Sequence, residues 1–436
     1  MNHLVYWVWL SLRCGAGSEL GSYLLKHFET PKDIYEASRE ELLSLKGINE
    51  SIVEALMDRS LSLPQKIVEY CERVNVGILT LESTNYPERL RGIHAKPIVL
   101  YYRGKLPNID DNVLIACVGM RACSEGGAKN AYQLGMDLAS AGAIVVSGMA
   151  SGIDTAVQRG VLAAGGHTIA VLGCGIDRVY PPQNADLMNQ IAKTGTLITE
   201  YAPGTEPRGQ NFPIRNRIIS GLSQGTVVVE ANARSGSLIT ASYAEKQGRD
   251  VFAFPGSAES SNAKGTNALI QRGAKFVVCA EDVLEEYELL YPDRIFTENI
   301  AMRKQRQKGS DYEFVPTETK KKKSDPGEEI GRSVLKKQRK SEKFQNTVKQ
   351  RQAETVEAPV SAAEEHRTDR ARDCESALGR EILSVMKGSM SADEIAAALS
   401  EKTGVSCDMG EFLGSLTILE IEGFVCALPG GNYRLA

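Results

Sequence analysis

The nine cysteines of this chain, at positions 14, 71, 117, 123, 174, 279, 374, 407 and 426, never fall into a C-x-x-C pair. Such dispersal disfavours both a disulfide framework and a structural zinc site, and it fits a reducing cytoplasm. No apolar run approaches the length needed to cross a bilayer. Residues 4–12 are apolar and include Trp7 and Trp9, but no basic stretch precedes them and no small-residue cleavage site follows. They read as a first core helix and not as a leader. Neither G-x-G-x-x-G nor G-x-x-x-x-G-K-[ST] is present, so a dinucleotide fingerprint and a nucleoside-triphosphate cradle both lack support. H-E-x-x-H and D-x-D are absent, and Ser147 and Ser235 lack the surround of a nucleophile elbow. Of the five histidines, only His167 lies near an expected ligand region, and it precedes its strand, at the end opposite the usual site. No catalytic set, cofactor or metal is therefore expected. A formal net charge of -4 gives no global attraction for nucleic acid, so any such site has to be a local basic patch.

The 436 residues, 42% hydrophobic and 24% charged, describe a soluble globular protein with two or three domains. Residues 1–75 carry helical periodicity, with a glycine turn at Lys46-Gly47-Ile48-Asn49 that fits either a phosphate-binding helix-hairpin-helix or a plain packed helical pair. From Tyr86-Pro87 the character changes. Strand-like runs at 98–102, 113–118, 143–148, 168–172, 225–230, 250–254 and 274–279, several running straight into glycine-bearing loops, give the βαβ rhythm of a parallel sheet. Residues 297–371, poor in aromatics and with basic clusters at 320–323 and 336–340, read as a disordered basic linker. After it come three helical segments and a hairpin through Pro429-Gly430-Gly431-Asn432, the pattern of a winged helix. Its third helical segment carries Glu411, Glu420 and Glu422 without lysine or arginine, so protein docking weighs at least as much as duplex reading. The fold class expected is α/β: a Rossmann-like parallel-sheet core (76–296), an N-terminal helical domain of SAM or helix-hairpin-helix type (1–75), and a C-terminal winged helix (372–436).

The most informative block is Phe212-Pro213-Ile214-Arg215-Asn216-Arg217-Ile218-Ile219-Ser220-Gly221-Leu222-Ser223. Guanidinium groups fork onto phosphate oxygens and a phenyl ring stacks on a base, so Phe212, Arg215, Asn216 and Arg217, with Asn211 beside them, suit an anionic, ring-bearing ligand. Other candidates lie where strands run into loops. Arg121 follows Gly119, and the turn from Ser147 and Gly148 to Asp154 offers amides near a helix start. Ser235, Gly236 and Ser237 open a helix after Glu230, which is expected to orient Arg215 or Arg217 or to receive a sugar hydroxyl.

These residues resemble the DNA-processing protein A family, also called Smf. The resemblance runs through Val118-Gly119-Met120-Arg121 with Ser124, residues 147–154, Gly166 with 168–171, Tyr180-Pro181 with Asn184, residues 212–223, Val229-Glu230-Ala231 with Ser235-Gly236-Ser237, Pro255-Gly256, and Gly265 with Asn267. It implies a cytoplasmic protein that binds single-stranded DNA during natural transformation, protects it, and helps load a RecA-type recombinase, acting as a homodimer. By the same resemblance, Arg121 and the Ser147-Gly148 turn form the phosphate pocket, with Phe212, Arg215 and Arg217 lining or supporting it. Two positions depart from the family pattern: Met120, where a small hydroxyl residue is common, and Val157, where histidine is common. The alternatives are a nucleotide-cleaving phosphoribohydrolase, whose PGGxGTxxE loop this chain lacks, and a non-catalytic protein adaptor.

Overall fold

The computed structural model describes residues 3–307 and 377–403, and from the remainder 412, 415–416, 419, 424–428 and 432–435. Six short helices come first: α1 (Leu4–Cys14), α2 (Leu20–Leu24), α3 (Pro31–Glu36), α4 (Arg39–Ser44), α5 (Glu50–Met57) and α6 (Ser62–Arg73). Their starts follow from local chemistry. Thr30 and Ser38 each form a reciprocal capping box, with Asp33 and Glu41, and Asn49 caps α5 through Ile52 N. The glycine turn before α5 is thus a capped helical pair, and Glu50 in its first turn pairs with Arg39.

The sheet contains nine strands: β1 (Gly77–Thr80), β2 (Val99–Gly104), β3 (Leu114–Val118), β4 (Ile144–Ser147), β5 (Thr168–Val171), β6 (Thr196–Thr199), β7 (Gly225–Val228), β8 (Asp250–Ala253) and β9 (Lys275–Phe276). Their order is β1-β2-β6-β5-β4-β3-β7-β8-β9. The seven strands from β6 to β9 pair in parallel, while β2 runs antiparallel to both β6 and β1. Register places Ile115 beside Val145 on one side and beside Gly225 on the other. Strand alternation divides the core. Ile115 and Cys117 face one layer with Val145, Val157 and Val227, and Leu114, Ala116 and Val118 face the other with Ile218, Ile219 and Leu222.

Helices α7 (Glu88–Arg91), α8 (Glu125–Ser140), α9 (Ile153–Ala163), α10 (Ala185–Thr194), α11 (Asn211–Leu222), α12 (Ser237–Lys246), α13 (Lys264–Gln271) and α14 (Glu281–Leu284) connect the strands. Three elements exceed the sequence reading. Strands β1 (Gly-Ile-Leu-Thr) and β6 (Thr-Leu-Ile-Thr) hold only two apolar residues each, too few to mark a run. The Phe212 block is a helix, α11, despite Pro213 and Gly221. Proline is tolerated there because it falls in the first turn, where N–H groups have no intrahelical partner.

The N-terminal helices join the sheet, and the start of the expected linker differs from expectation. Trp7, Trp9, Leu24 and Leu56 of the N-terminal helices share one core with Tyr101, Leu172 and Leu187 of the sheet region, so residues 1–75 pack on the sheet and not apart from it. The linker expected from 297 begins with helix α15 (Glu298–Gln307), held to α8 by buried Ile300 and by Arg303 against Asp137. The linker residues beyond 307 lie outside the described residues. The C-terminal residues form α16 (Ala377–Val385), β10 (Met390–Ser391), α17 (Ala392–Thr403), β11 (Val425–Leu428) and β12 (Asn432–Leu435), with strand order β10-β12-β11. Ser391 and Glu394 form a reciprocal cap at the start of α17, and most of the third helical segment falls outside the described residues.

Candidate nucleic-acid interface

Connections run one way from β3 through β4 and β5 to β6, then cross back to β7 and β8, so the switch point falls between β3 and β7. A crevice forms outside the carboxyl ends of the strands at such a point. Here it is a cleft of about 810 Å³. Gly119, Met120 and Arg121 border it from β3, Phe212, Arg215 and Asn216 from α11, and Arg234, Ser235, Gly236 and Ser237 from the start of α12. Asp154 borders it from α9, and Gly148 and Ser151 line an adjoining recess with Arg121 and Phe212.

The two arginines of α11 point apart. Residues two apart on a helix are separated by about 200° around its axis, so alternation that would put both on one face of a strand sends them to opposite sides here. Arg215 is 3% exposed and donates from Nη1 to the carbonyls of Gly148 (2.9 Å) and Val171. Burial, which outweighs the opposing charge of Asp154, and then repulsion from Arg121 bring its pKa down to about 10, so it remains charged at neutral pH. Its Nε has no hydrogen-bond partner. Arg217, equally buried, faces the N-terminal side, where Glu200 accepts from Nη2 at 2.8 and 2.9 Å and Ala95 O accepts from Nε and Nη2. It does not border the cleft.

Phe212 forms the aromatic floor. Tyr180 lies against it at 5.0 Å between centroids, tilted by 36°, and the guanidinium carbons of Arg121 and Arg215 stand 5.2 and 5.8 Å from its centroid. Cations over a ring face are attracted by its quadrupole. Arg121 is exposed and forms no ion pair with any described residue. Its charge is therefore available to an anion in the cleft.

Several sequence expectations need correction. Glu230 pairs with neither arginine: its Oε2 accepts from Ser124 N (2.9 Å) and Ser124 Oγ (3.2 Å), and its Oε1 from Asn262 Nδ2 (2.7 Å), tying the start of α8 to the loop before α13. The Ser147-Gly148 turn does not offer its amides freely, since Asp154 Oδ2 accepts from Gly148 N (3.0 Å) and Ala150 N (3.4 Å). Burial nevertheless raises the Asp154 pKa, opposed chiefly by the charge of Arg215. Ser147 is fully buried and donates to Cys117 O, and Asn211 donates to Gly173 O, so both are structural in this geometry. Ser235 and Ser237 bond to each other (2.8 Å) beside exposed Gly236. Met120 borders the cleft, but Val157 is fully buried in the layer between α8 and α9, outside it.

Sequence reasoning misses Tyr180, Pro181, Ser151, Cys174 and Arg234 as lining residues, and Arg208, exposed between cleft-lining Pro207 and Gly209. Tyr180-Pro181 enters the sequence reading only through the family resemblance and not as a cleft residue, because the fold alone brings Tyr180 to Phe212. Ser223 sits in Gly221-Leu222-Ser223-Gln224-Gly225, a nucleophile-elbow spacing, yet it is fully buried and donates to Ile219 O. Among the described residues no cluster of three or more His, Cys, Asp or Glu could hold a metal, and no helix is long and apolar enough to cross a membrane.

The fold and site define an α/β protein with a cationic, aromatic-floored cleft at the switch point of a parallel sheet. Residues 77–288 match the family described as DNA recombination-mediator protein A. The chain is 37% identical to protein Smf of Synechocystis sp. over 283 residues, 64% of this chain and 71% of that protein. It is 45% identical to DNA processing protein DprA of Streptococcus pneumoniae over 203 residues, 47% of this chain and 71% of that one. The X-ray structure of DNA processing protein A from Streptococcus pneumoniae superposes with a TM-score of 0.57 at 33% identity, covering 66% of this chain and 98% of that chain. This chain belongs to the DNA recombination-mediator protein A (DprA/Smf) family.

A Cβ added to Gly148 would stand 2.6 Å from both Nη atoms of Arg215. Gly148→Ala should displace that guanidinium and destabilise the fold by about 2 kcal/mol, as overpacking does. Thermal unfolding followed by circular dichroism measures this, and an unchanged midpoint would show that Arg215 moves aside without cost.

Proposed function

We propose that this chain captures single-stranded DNA in the Arg121–Phe212 cleft and acts without cleaving it, in recombination. The observation that carries the reading is an exposed, unpaired arginine beside a Tyr180–Phe212 aromatic pair. Phosphate neutralisation and base stacking are the two means by which proteins hold single strands without reading sequence. Duplex DNA keeps its base faces inside the stack and cannot use Phe212. The phosphoribohydrolase reading is disfavoured because both carboxylate oxygens of Glu230 are already engaged by Ser124 and Asn262.

The family and its named relatives support a DNA-processing role in recombination. To this we add protection of incoming strands in natural transformation, loading of a RecA-type recombinase, and a cytoplasmic location. Arg121, Phe212, Arg215, Asn216, Gly236 and the Ser235–Ser237 pair are assigned to the DNA side, with Asp154 and Gly148 holding Arg215 in place. Residues 372–436 are assigned to a winged-helix unit that docks protein or DNA.

The protein is also proposed to work as a homodimer. Leu289 and Leu290 are 93% and 72% exposed, and Phe276 and Val278, at and just beyond the edge strand β9, are each more than half exposed. Lys275 of β9 pairs with Glu285 and Glu286, which keeps the two stretches together. Adjacent exposed leucines beside an open sheet edge favour burial against a second copy. Replacing both Leu289 and Leu290 by glutamate should turn a sedimenting dimer into a monomer; a wild-type monomer, or a variant that stays dimeric, counts against this surface.

Binding of labelled single-stranded and duplex oligonucleotides across a salt series tests the main reading. Single strands should bind more tightly, and affinity should fall as salt rises. Arg121→Glu should weaken binding and flatten the slope by about 0.7 for each phosphate no longer neutralised. The same variant should fail to support recombinase filaments on strand already coated by a single-strand binding protein. Equal, weak binding of both substrates that Arg121→Glu leaves unchanged contradicts the proposal.

A further inference from the structure

Glu200 stands just after β6 and does not border the cleft, yet it joins three parts of the chain. Its carboxylate accepts from Arg217 Nη2 at 2.8 and 2.9 Å, and its Oε1 also accepts from Gly17 N at 3.4 Å. Both partners of the ion pair are nearly closed to solvent, with side-chain exposures of 3% for Arg217 and 9% for Glu200. Ala95, a non-glycine residue held at φ 49°, turns its carbonyl onto Arg217 Nε and Nη2 at 2.9 and 2.7 Å. Non-glycine residues enter that region at a cost, so the surrounding contacts enforce it. Burial alone would lower the Arg217 pKa, but the charge and hydrogen bonds of Glu200 outweigh it and hold the pKa above the ordinary value.

The N-terminal loop closes over the same place. Gly17 lies so near α11 that an added Cβ would stand 2.5 Å from Ile214 Cγ2, and Gly17 itself has φ 75°. Ile214 is the neighbour of Arg215 and two residues from Phe212. Any rotation of α11 about its axis therefore moves the latch on one side and the cleft residues on the other. Beside the latch lies a small cavity lined by Ser11, Cys14, Lys96, Val99 and Glu200.

We infer that Glu200 is a positioning residue for DNA binding: through Arg217 it locks α11 against the N-terminal loop at Gly17, and so holds Phe212 toward the strand with Arg215 beneath it. The inference rests on the single-strand reading of the cleft. It gives the N-terminal helices a part in binding although they do not border the cleft.

The full chain carrying Glu200→Gln, which keeps the shape but removes the charge opposing Arg217, is compared with wild type by anisotropy of a labelled oligothymidine strand across a salt series. Affinity should fall about tenfold, the equivalent of one buried polar group left poorly matched. The salt slope should stay at the wild-type value, because every phosphate-neutralising cation is still present. Hydrogen exchange should rise at residues 211–217. A double variant, Glu200→Leu with Arg217→Met, guards against misfolding, since apolar replacement of a buried ion pair preserves stability in many proteins. It should show the same weakened affinity and unchanged slope. Wild-type affinity in either variant overturns the inference, whatever happens to the melting temperature, as does a slope reduced like that of Arg121→Glu. If Arg121→Glu itself binds like wild type, the cleft reading fails first and separately.

Discussion

Two buried guanidinium groups on one short helix are the constraint on which the rest of the cleft depends. Each stays charged at neutral pH, so each must find oxygen partners inside the protein. Arg215 finds them in the carbonyls of Gly148 and Val171, with the carboxylate of Asp154 supplying opposite charge nearby. Arg217 finds them in Ala95 O and the Glu200 carboxylate. These demands point in opposite directions, and together they fix the rotation of α11. Phe212, one turn from Arg215, is held where Tyr180 and Arg121 meet it as a consequence.

The electrostatics of the site follow from the same arrangement. A chain with a net charge of -4 attracts a polyanion only where cations are concentrated and carboxylates are occupied. Asp154, the carboxylate that borders the cleft, accepts turn amides at Oδ2, while Glu230 is held by Ser124 and Asn262 and Glu200 by Arg217. Arg121 and Arg234 stay at the cleft surface. Arg215 beneath adds positive potential without itself reaching solvent.

Much of this is legible in the sequence. The strands β3, β4, β5 and β7 are apolar runs leading into loops, buried on both faces, and they announce a parallel sheet directly. The block around Phe212 and Arg215 stands out through residue types alone, and the resemblance to the DprA/Smf family rests on the same residues. What stays hidden is geometry set by distant contacts. Pro213 and Gly221 obscure a helix, and without the helix both arginines look free to share one face. Glu230, near in sequence to the serine loop, looks like the natural partner for an arginine, whereas the actual partner of Arg217 is Glu200, on the strand side of a different loop. Tyr180 reaches Phe212 only because the chain folds back between them, a contact no local pattern encodes.

The central claim is that a DNA base lies on Phe212 in the cleft. Photo-crosslinking of a single strand carrying 5-iododeoxyuridine, followed by mass spectrometry of the adducts, tests it most directly, because the halogenated base couples to the aromatic side chain it stacks on. Adducts are expected at Phe212 or Tyr180, and they should disappear when Arg121 is replaced by glutamate. Adducts confined to other regions of the chain, with none at the cleft, would contradict the claim.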